Sequence, residues 1–164
     1  MTAVHQHQQM ALAVALVQHR AKISIIHAGT GVARPLLRSL YHELHGEAPR
    51  GGPLATSLAG ILKTRTQHAS ASLFAALYTD LGAGARYDAV DWQALVHAYA
   101  MYRALSPRGS EPLDINQAWA VAIDFKVGRV TLAHCEACQV PYLVVAHAVF
   151  GPTCPLCALY ARAG

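Results

Sequence analysis

The sequence predicts a mainly α-helical domain that is followed by a small cysteine-rich module. Three observations support this prediction. Apolar residues recur at helical spacing between residues 8 and 127, and glycine- or proline-rich stretches interrupt them. After Gly128 the apolar pattern changes to that of short strands. The four cysteines of the chain all follow that change, as two C-x2-C pairs.

Five helices are expected after a loose end at residues 1–7. Their predicted ranges are 8–26, 33–45, 58–81, 90–105 and 113–127. Gly46 ends the second helix, where glycine is favoured, and residues 48–53 form a loop rich in proline and glycine. Breaks at residues 82–84 and 106–109 follow the third and fourth helices. Two short strands are expected at 129–133 and 142–146, on either side of the first cysteine pair.

The cysteines show the spacing C-x2-C-x15-C-x2-C, which is typical of a four-thiolate zinc site. The expected ligands are Cys135, Cys138, Cys154 and Cys157. Each pair turns tightly enough to direct two sulfurs at one metal ion. Four thiolates close the tetrahedron and leave no position for water or substrate. We therefore expect one structural zinc ion per chain, in a C-terminal zinc ribbon with four cysteine ligands.

Other interpretations of the cysteines need features that the sequence does not offer. Two disulfides would require an oxidising compartment, and the N-terminus lacks the basic start and cleavage site of a secretory signal, so a cytoplasmic protein is expected. A thioredoxin-like redox pair would need only one C-x2-C motif. His134 and His147 lie close to the cysteines, and either imidazole could replace a thiolate.

Composition and charge narrow the function classes. Hydrophobic residues make up 54% of the 164 residues and charged residues 13%, so we expect a partner to cover part of the surface. The longest early apolar run, Met10 to Val17, is far shorter than the ~20 residues that span a bilayer. Residues 20–65 hold seven basic and two acidic side chains, which favours a polyanion partner, whereas residues 80–124 hold three basic and six acidic ones.

Residues 26–40 resemble a helix-turn-helix, with Gly31 as the turn glycine. Arg34 and Arg38 would lie on the exposed face of the second helix, where a recognition helix presents side chains to the major groove. Arginine suits this role because its guanidinium binds both phosphate and the guanine edge. Three further basic residues are expected to position phosphates: Arg20, Lys22 and Arg50.

Some features agree less well with this interpretation. His27 takes the place of a small residue between the helices, and Ala33 that of a serine or threonine cap. A plain helical hairpin with solvated arginines is the alternative.

Motifs of enzymes are not evident in the sequence. His42 and His45 are three residues apart, one fewer than in zinc proteases, and we find neither a nucleophile motif nor a phosphate-binding loop. The sequence therefore does not indicate an enzyme.

Three stretches, at residues 20–46, at residues 118–128 and at the four cysteines, together resemble the FlhC family of flagellar transcriptional regulators. Residues 20–46 are similar to a family run that contains "TG-x-SR" and "LY-x-E-x-x-G", although Ala33 replaces its serine. Ala118 and Trp119, followed by Phe125 and Gly128, are similar to a family pattern ahead of its zinc module. The four cysteines fall on the family's zinc ligands.

The resemblance implies a transcriptional activator that works in a hetero-oligomer with FlhD, binds promoter DNA of flagellar operons and assists RNA polymerase. The implied organisation is a helical DNA- and partner-binding domain at residues 8–128 and a zinc ribbon at residues 129–160. The alternative function is a zinc-stabilised protein-interaction adaptor that does not itself bind DNA. Salt dependence of DNA binding separates the two.

Overall fold

The computed structural model describes residues 2–55, 57–82, 89–107, 112–147, 149, 151 and 153–163. Within these residues the chain forms eight helices and one two-stranded sheet, so the predicted mainly helical class is confirmed. The chain divides into two compact units, residues 1–54 and residues 55–164. None of the described helices combines the length and the apolar character needed to cross a membrane.

The first unit contains three helices, which contact one another pairwise. They are α1 (Ala3–Gln18), α2 (Ile23–Thr30) and α3 (Arg34–His45). Its core is formed by buried aliphatic side chains and one tyrosine: Leu12, Leu16, Val17, Ile25, Ile26, Leu37 and Tyr41. Helix α3 lies close to the range of 33–45 predicted from the sequence, and Gly46 ends it in the left-handed conformation.

The predicted helix over residues 8–26 is wrong at both ends. The helix begins at Ala3, because the hydroxyl of Thr2 accepts a hydrogen bond from the backbone N–H of His5 at 3.3 Å and caps it. The segment expected as a loose end is therefore mostly helical. Helix α1 then ends at Gln18, and α2 begins only at Ile23.

The break between α1 and α2 is a left-handed turn at Arg20, whose φ is 62°. The N–H of Arg20 donates to the carbonyl of Val17 at 2.8 Å. The N–H of Ala21 donates to the carbonyl of Leu16 at 3.0 Å. This pair of bonds is a Schellman motif. Glycine usually holds the left-handed position, so an arginine there gave no signal in the sequence.

The second unit contains five helices and an antiparallel hairpin within its described residues. They are α4 (Leu58–Ile61), α5 (Arg65–Asp80), α6 (Trp92–Leu105), α7 (Ile115–Lys126), β1 (Val130–His134), β2 (Pro141–Val145) and α8 (Pro155–Ala163). Leu132 pairs with Leu143 at the centre of the hairpin. Helix α5 packs against α6, α7, α8 and both strands, so it forms the centre of the unit.

The predicted helix over residues 58–81 is divided in two. A new helix starts after Thr64, because its hydroxyl accepts from the N–H of Gln67 at 3.1 Å and the side chain of Gln67 accepts from the N–H of Thr64 at 3.0 Å. This capping box overrides the alanine-rich continuity of the segment. The predicted breaks at residues 82–84 and 106–109 extend into positions 83, 84, 108 and 109, which lie outside the described residues.

Trp119 lies on α7 and is half-buried, and its indole nitrogen is shielded from solvent without a hydrogen-bond partner among the described residues. Its role is therefore in packing, and Trp119→Ala is expected to lower the free energy of unfolding by about 3 kcal/mol. In a Trp92→Phe background, the fluorescence of Trp119 should show the emission of a shielded indole. Emission at the wavelength of a fully hydrated indole would contradict this placement.

Candidate metal centre and basic surface

The first cysteine pair lies on a tight turn between the two strands. Cys135 directly follows β1, and its N–H donates to the carbonyl of Val140 at 3.1 Å. The carbonyl of Cys135 accepts from the N–H of Gln139 at 2.8 Å. Gln139 adopts the left-handed conformation, with φ of 60°. These bonds fold residues 135–139 back on themselves, so the sulfurs of Cys135 and Cys138 reach the same centre.

The second pair lies at the start of α8. Cys154 immediately precedes the helix, and its carbonyl accepts from the N–H of Ala158 at 3.1 Å. Cys157 belongs to the first turn. None of the five helices predicted from the sequence covers this segment. Proline is nevertheless well suited to the first helical position, where its missing N–H would have no helical partner anyway.

The four sulfurs lie close together in the geometry of a metal site. The Sγ atoms of Cys135 and Cys157 are 3.7 Å apart, and those of Cys138 and Cys154 are 3.6 Å apart. All four lie within 4.8 Å of one another, and neither His134 nor His147 belongs to this group of described residues. A tetrahedron with Zn–S bonds of about 2.3 Å has edges of about 3.8 Å. The four cysteines could therefore hold one metal ion.

Electrostatics within this cysteine cluster favour a bound cation. The backbone N–H groups of Cys138 and then of Ala137 lower the pKa of the Cys135 thiol to about 7. The sulfurs of Cys138 and then of Cys135 raise the pKa of the Cys157 thiol to about 12. One thiolate thus forms easily and opposes the formation of the next. A cation removes that opposition, and its binding releases protons.

Helix α5 holds the hairpin through two polar side chains. The Nε2 of His68 donates to the carbonyl of Leu143 at 2.6 Å. The hydroxyl of Ser72 accepts from the N–H of Leu143 at 3.0 Å and donates to the carbonyl of His68 at 2.8 Å. Burial lowers the pKa of His68, which favours the neutral imidazole. Both the N–H and the carbonyl of Leu143, at the centre of β2, are therefore hydrogen-bonded to side chains of α5.

A buried carboxylate fixes the point where the chain enters the hairpin. Asp124 is 1% exposed, and its Oδ1 accepts from Arg129 Nε at 2.8 Å and from Nη2 at 2.6 Å. Its Oδ2 accepts from the N–H of Leu58 at 2.8 Å. One side chain therefore ties the end of α7 to the segment before β1 and to the start of α4.

In the first unit, α2 and α3 are joined by a three-residue turn. Gly31 adopts the left-handed conformation, with φ of 69°, and its N–H donates to the carbonyl of His27 at 2.9 Å. Ala33 precedes α3 and supplies no side-chain cap. Arg34 and Arg38 are both exposed on α3. Neither side chain forms an ion pair or hydrogen bond with another residue that the structure describes.

The other basic side chains differ in their surroundings. Arg20 forms an ion pair with Glu47, whose hydrogen bond raises the pKa of Arg20. Lys22 Nζ donates to the carbonyl of Gly52 at 3.3 Å and also to that of Pro53. These two residues therefore hold the loop that follows α3. Arg50, within that loop, is exposed.

The family model for the flagellar transcriptional activator FlhC matches residues 1–164. The chain belongs to the FlhC family. It is 29% identical to the flagellar transcriptional regulator FlhC of Gallionella capsiferriformans, over 99% of this chain and 90% of that protein. It is 28% identical to the proteins of the same name from Serratia marcescens and Proteus mirabilis, over 98% of this chain and 83% of each of them.

Membership of the FlhC family confirms the resemblance seen in the sequence and places the chain among transcriptional regulators, which are not a class of enzymes. Sequence reasoning found the cysteines of this FlhC-family chain but missed the residues that support them. His68, Ser72 and Asp124 look like ordinary helix residues in the sequence. No spacing rule relates them to the cysteines, because their partners lie far along the chain.

Proposed function

We propose that this FlhC-family chain is a DNA-binding activator of flagellar operons that acts in a hetero-oligomer with FlhD. In this proposal it binds promoter DNA, assists RNA polymerase and carries one structural zinc ion on its four cysteines. The supporting observation is the pair Arg34 and Arg38, which is exposed on α3 and has no partner in the described part of the chain. A polyanion would supply that partner.

The zinc assignment follows from the chemistry of the ligand set. Four thiolates are soft ligands, and a tetrahedral arrangement of four sulfurs is typical of zinc or iron–sulfur sites. The separations of 3.6 and 3.7 Å are close to the edge of a tetrahedron of four sulfurs around a single zinc ion. A closed set of this kind stabilises structure, which suits a hairpin and a helix that are each short.

The DNA-binding proposal places α3 in the major groove as the recognition helix of a helix-turn-helix. The three-residue turn and the left-handed Gly31 are what such a motif requires. Residues near the start of a recognition helix contact base edges, and Arg34 is the first residue of α3. Arg38 follows one turn later, and Arg50 would bind phosphate. Arg20 and Lys22 would act both on phosphate and by holding the loop that carries Arg50.

The partner proposal is supported by apolar side chains that the chain leaves in solvent. On α3 itself, Leu36 is 49% exposed and Leu44 is 43% exposed. These leucines also favour the alternative function, in which α3 binds only protein and the chain is an adaptor. DNA binding by the complex with FlhD decides between the two, since an adaptor shows no saturable binding.

Within the complex, Arg34→Ala or Arg38→Ala is expected to weaken promoter binding by about 1–3 kcal/mol and to relax specificity at one base position. Arg50→Ala should weaken binding to all sequences about equally and make the salt slope shallower by about one unit. Gel-shift titrations on promoter and scrambled DNA measure both effects. Arg162→Ala is the matched control, because it removes one exposed arginine from α8.

If Arg34→Ala and Arg38→Ala both behave like the Arg162→Ala control, α3 is not the recognition helix. The base of the hairpin is then the next surface to test. Lys126 is exposed there, whereas Arg129 is bound to Asp124. If each variant still co-purifies with FlhD, a loss of DNA binding is not caused by misfolding.

A further inference from the structure

The two histidines near the end of α3 have different surroundings. His45 is half-buried, its Nε2 lies 2.7 Å from the carbonyl oxygen of Val17, and its ring contacts that of Tyr41 at 4.6 Å between centroids. His45 is therefore part of the packing of the first unit. His42 is exposed, and its side chain forms no hydrogen bond or ion pair with any residue that the structure describes.

His42 continues the line of the two arginines. Arg34, Arg38 and His42 are each four residues apart, so they lie along one side of α3, and all three are exposed. We call these three residues the basic row. At 1.5 Å per residue, the basic row extends about 12 Å along the helix. The major groove is also about 12 Å wide. A helix that places Arg34 at base edges thus brings His42 to the phosphates at the groove edge.

The surface beside His42 is open to an approaching phosphate. His42 lines a shallow depression of about 700 Å³ with Arg38, Ser39, Glu43, Ala48 and Pro49. The charged groups in this depression are Arg38 and Glu43, both from α3, and the loop contributes only the uncharged Ala48 and Pro49. Glu43 follows His42 directly in the helix and so projects about 100° away from it. The basic side of α3 is therefore left accessible.

We propose that His42 is a phosphate contact of the DNA-binding surface and makes the DNA affinity of the protein depend on pH. This inference rests on the proposed function. A neutral imidazole donates one hydrogen bond to a phosphate oxygen, and a protonated imidazole adds a positive charge to that contact. Histidine side chains change charge between pH 5 and 8, unlike arginine. Acidification thus strengthens binding to any DNA sequence, because the contact is with phosphate.

The test compares salt titrations of the complex with FlhD at pH 6 and pH 8 on the same promoter fragment. For the unmodified chain, the slope of log K against log salt should be steeper at pH 6 by up to about 0.9, the value for one phosphate contact. His42→Gln should remove this difference, and His42→Arg should give the steep slope at both pH values. His97→Gln is the control, since His97 is an exposed histidine on α6.

The outcomes separate this inference from the proposed function. Arg38→Ala should weaken binding at both pH values and retain the pH difference. His42 is not the phosphate contact if His42→Gln retains the full pH difference or if the unmodified complex shows no pH difference. In either case, weaker DNA binding by Arg38→Ala would still support α3 as the DNA-binding surface. If the unmodified complex binds no DNA at either pH, the proposed function itself is overturned.

Discussion

Replacing Cys154 by alanine is expected to abolish metal binding and to unfold the β1–β2 hairpin together with α8. The Sγ of this residue lies 3.6 Å from that of Cys138, and its side chain is buried, with 6% of the residue exposed. Structural zinc contributes roughly 10–16 kcal/mol of apparent binding free energy in small peptides. A two-stranded hairpin is at best marginally stable without such support. Elemental analysis should show a fall from one zinc per chain to nearly none.

A matched control lies in the same turn as the first cysteine pair. Glu136 is exposed between Cys135 and Cys138, so Glu136→Ala should retain full zinc content and an unchanged melting temperature. Cys135→Ala should show the same fall in zinc content as Cys154→Ala. Both cysteine variants should also give a lower soluble yield. Full zinc occupancy in a Cys135→Ala/Cys154→Ala double variant would refute the assignment of the cluster as the metal site.

Asp124→Ala is expected to lower the free energy of unfolding by about 3 kcal/mol. The substitution leaves the N–H of Leu58 and the guanidinium of Arg129 without their shared acceptor. Arg129 is half-exposed and regains water, so most of the loss comes from the buried N–H and from the cavity. Asp124→Asn keeps an acceptor for Leu58 and should lose less. Chemical denaturation measures the free energy of unfolding of both variants.

Asp80→Ala provides the comparison for Asp124→Ala. Asp80 is an exposed carboxylate at the end of α5, so its loss changes the net charge equally and should alter stability by no more than about 0.5 kcal/mol. If Asp124→Ala costs no more than Asp80→Ala, the buried carboxylate does not hold the hairpin to α7 and α4.

The sequence predicted the helices where local rules decide the structure. Helical periodicity placed α3, α6 and α7 within about two residues of their observed ends. It failed where a single backbone feature overrides periodicity. Arg20 holds a left-handed turn without being glycine, and Thr64 restarts a helix within an alanine-rich run. The T-x-x-Q pattern at Thr64 could have been read as a capping box.

In the candidate site, the sequence predicts the features that depend on local spacing and misses those that depend on contacts between residues far apart in the chain. The cysteine cluster was predictable because each pair is set by a three-residue spacing. The support of the hairpin was not, since His68 bonds to a residue 75 positions away and Ser72 to the same residue. Such contacts depend on the packing of α5 against β2, which no local pattern encodes. The exposure of His42 beside a packed His45 likewise appears only in the folded helix.

The salt dependence of promoter binding by the complex with FlhD tests the central proposal most directly. Binding should be saturable, and log K should fall linearly with log salt. Three phosphate-neutralising contacts, from Arg20, Lys22 and Arg50, would give a slope of about −2.7. No saturable binding at low salt, or a slope near zero, would contradict the DNA-binding account and favour a protein-interaction adaptor.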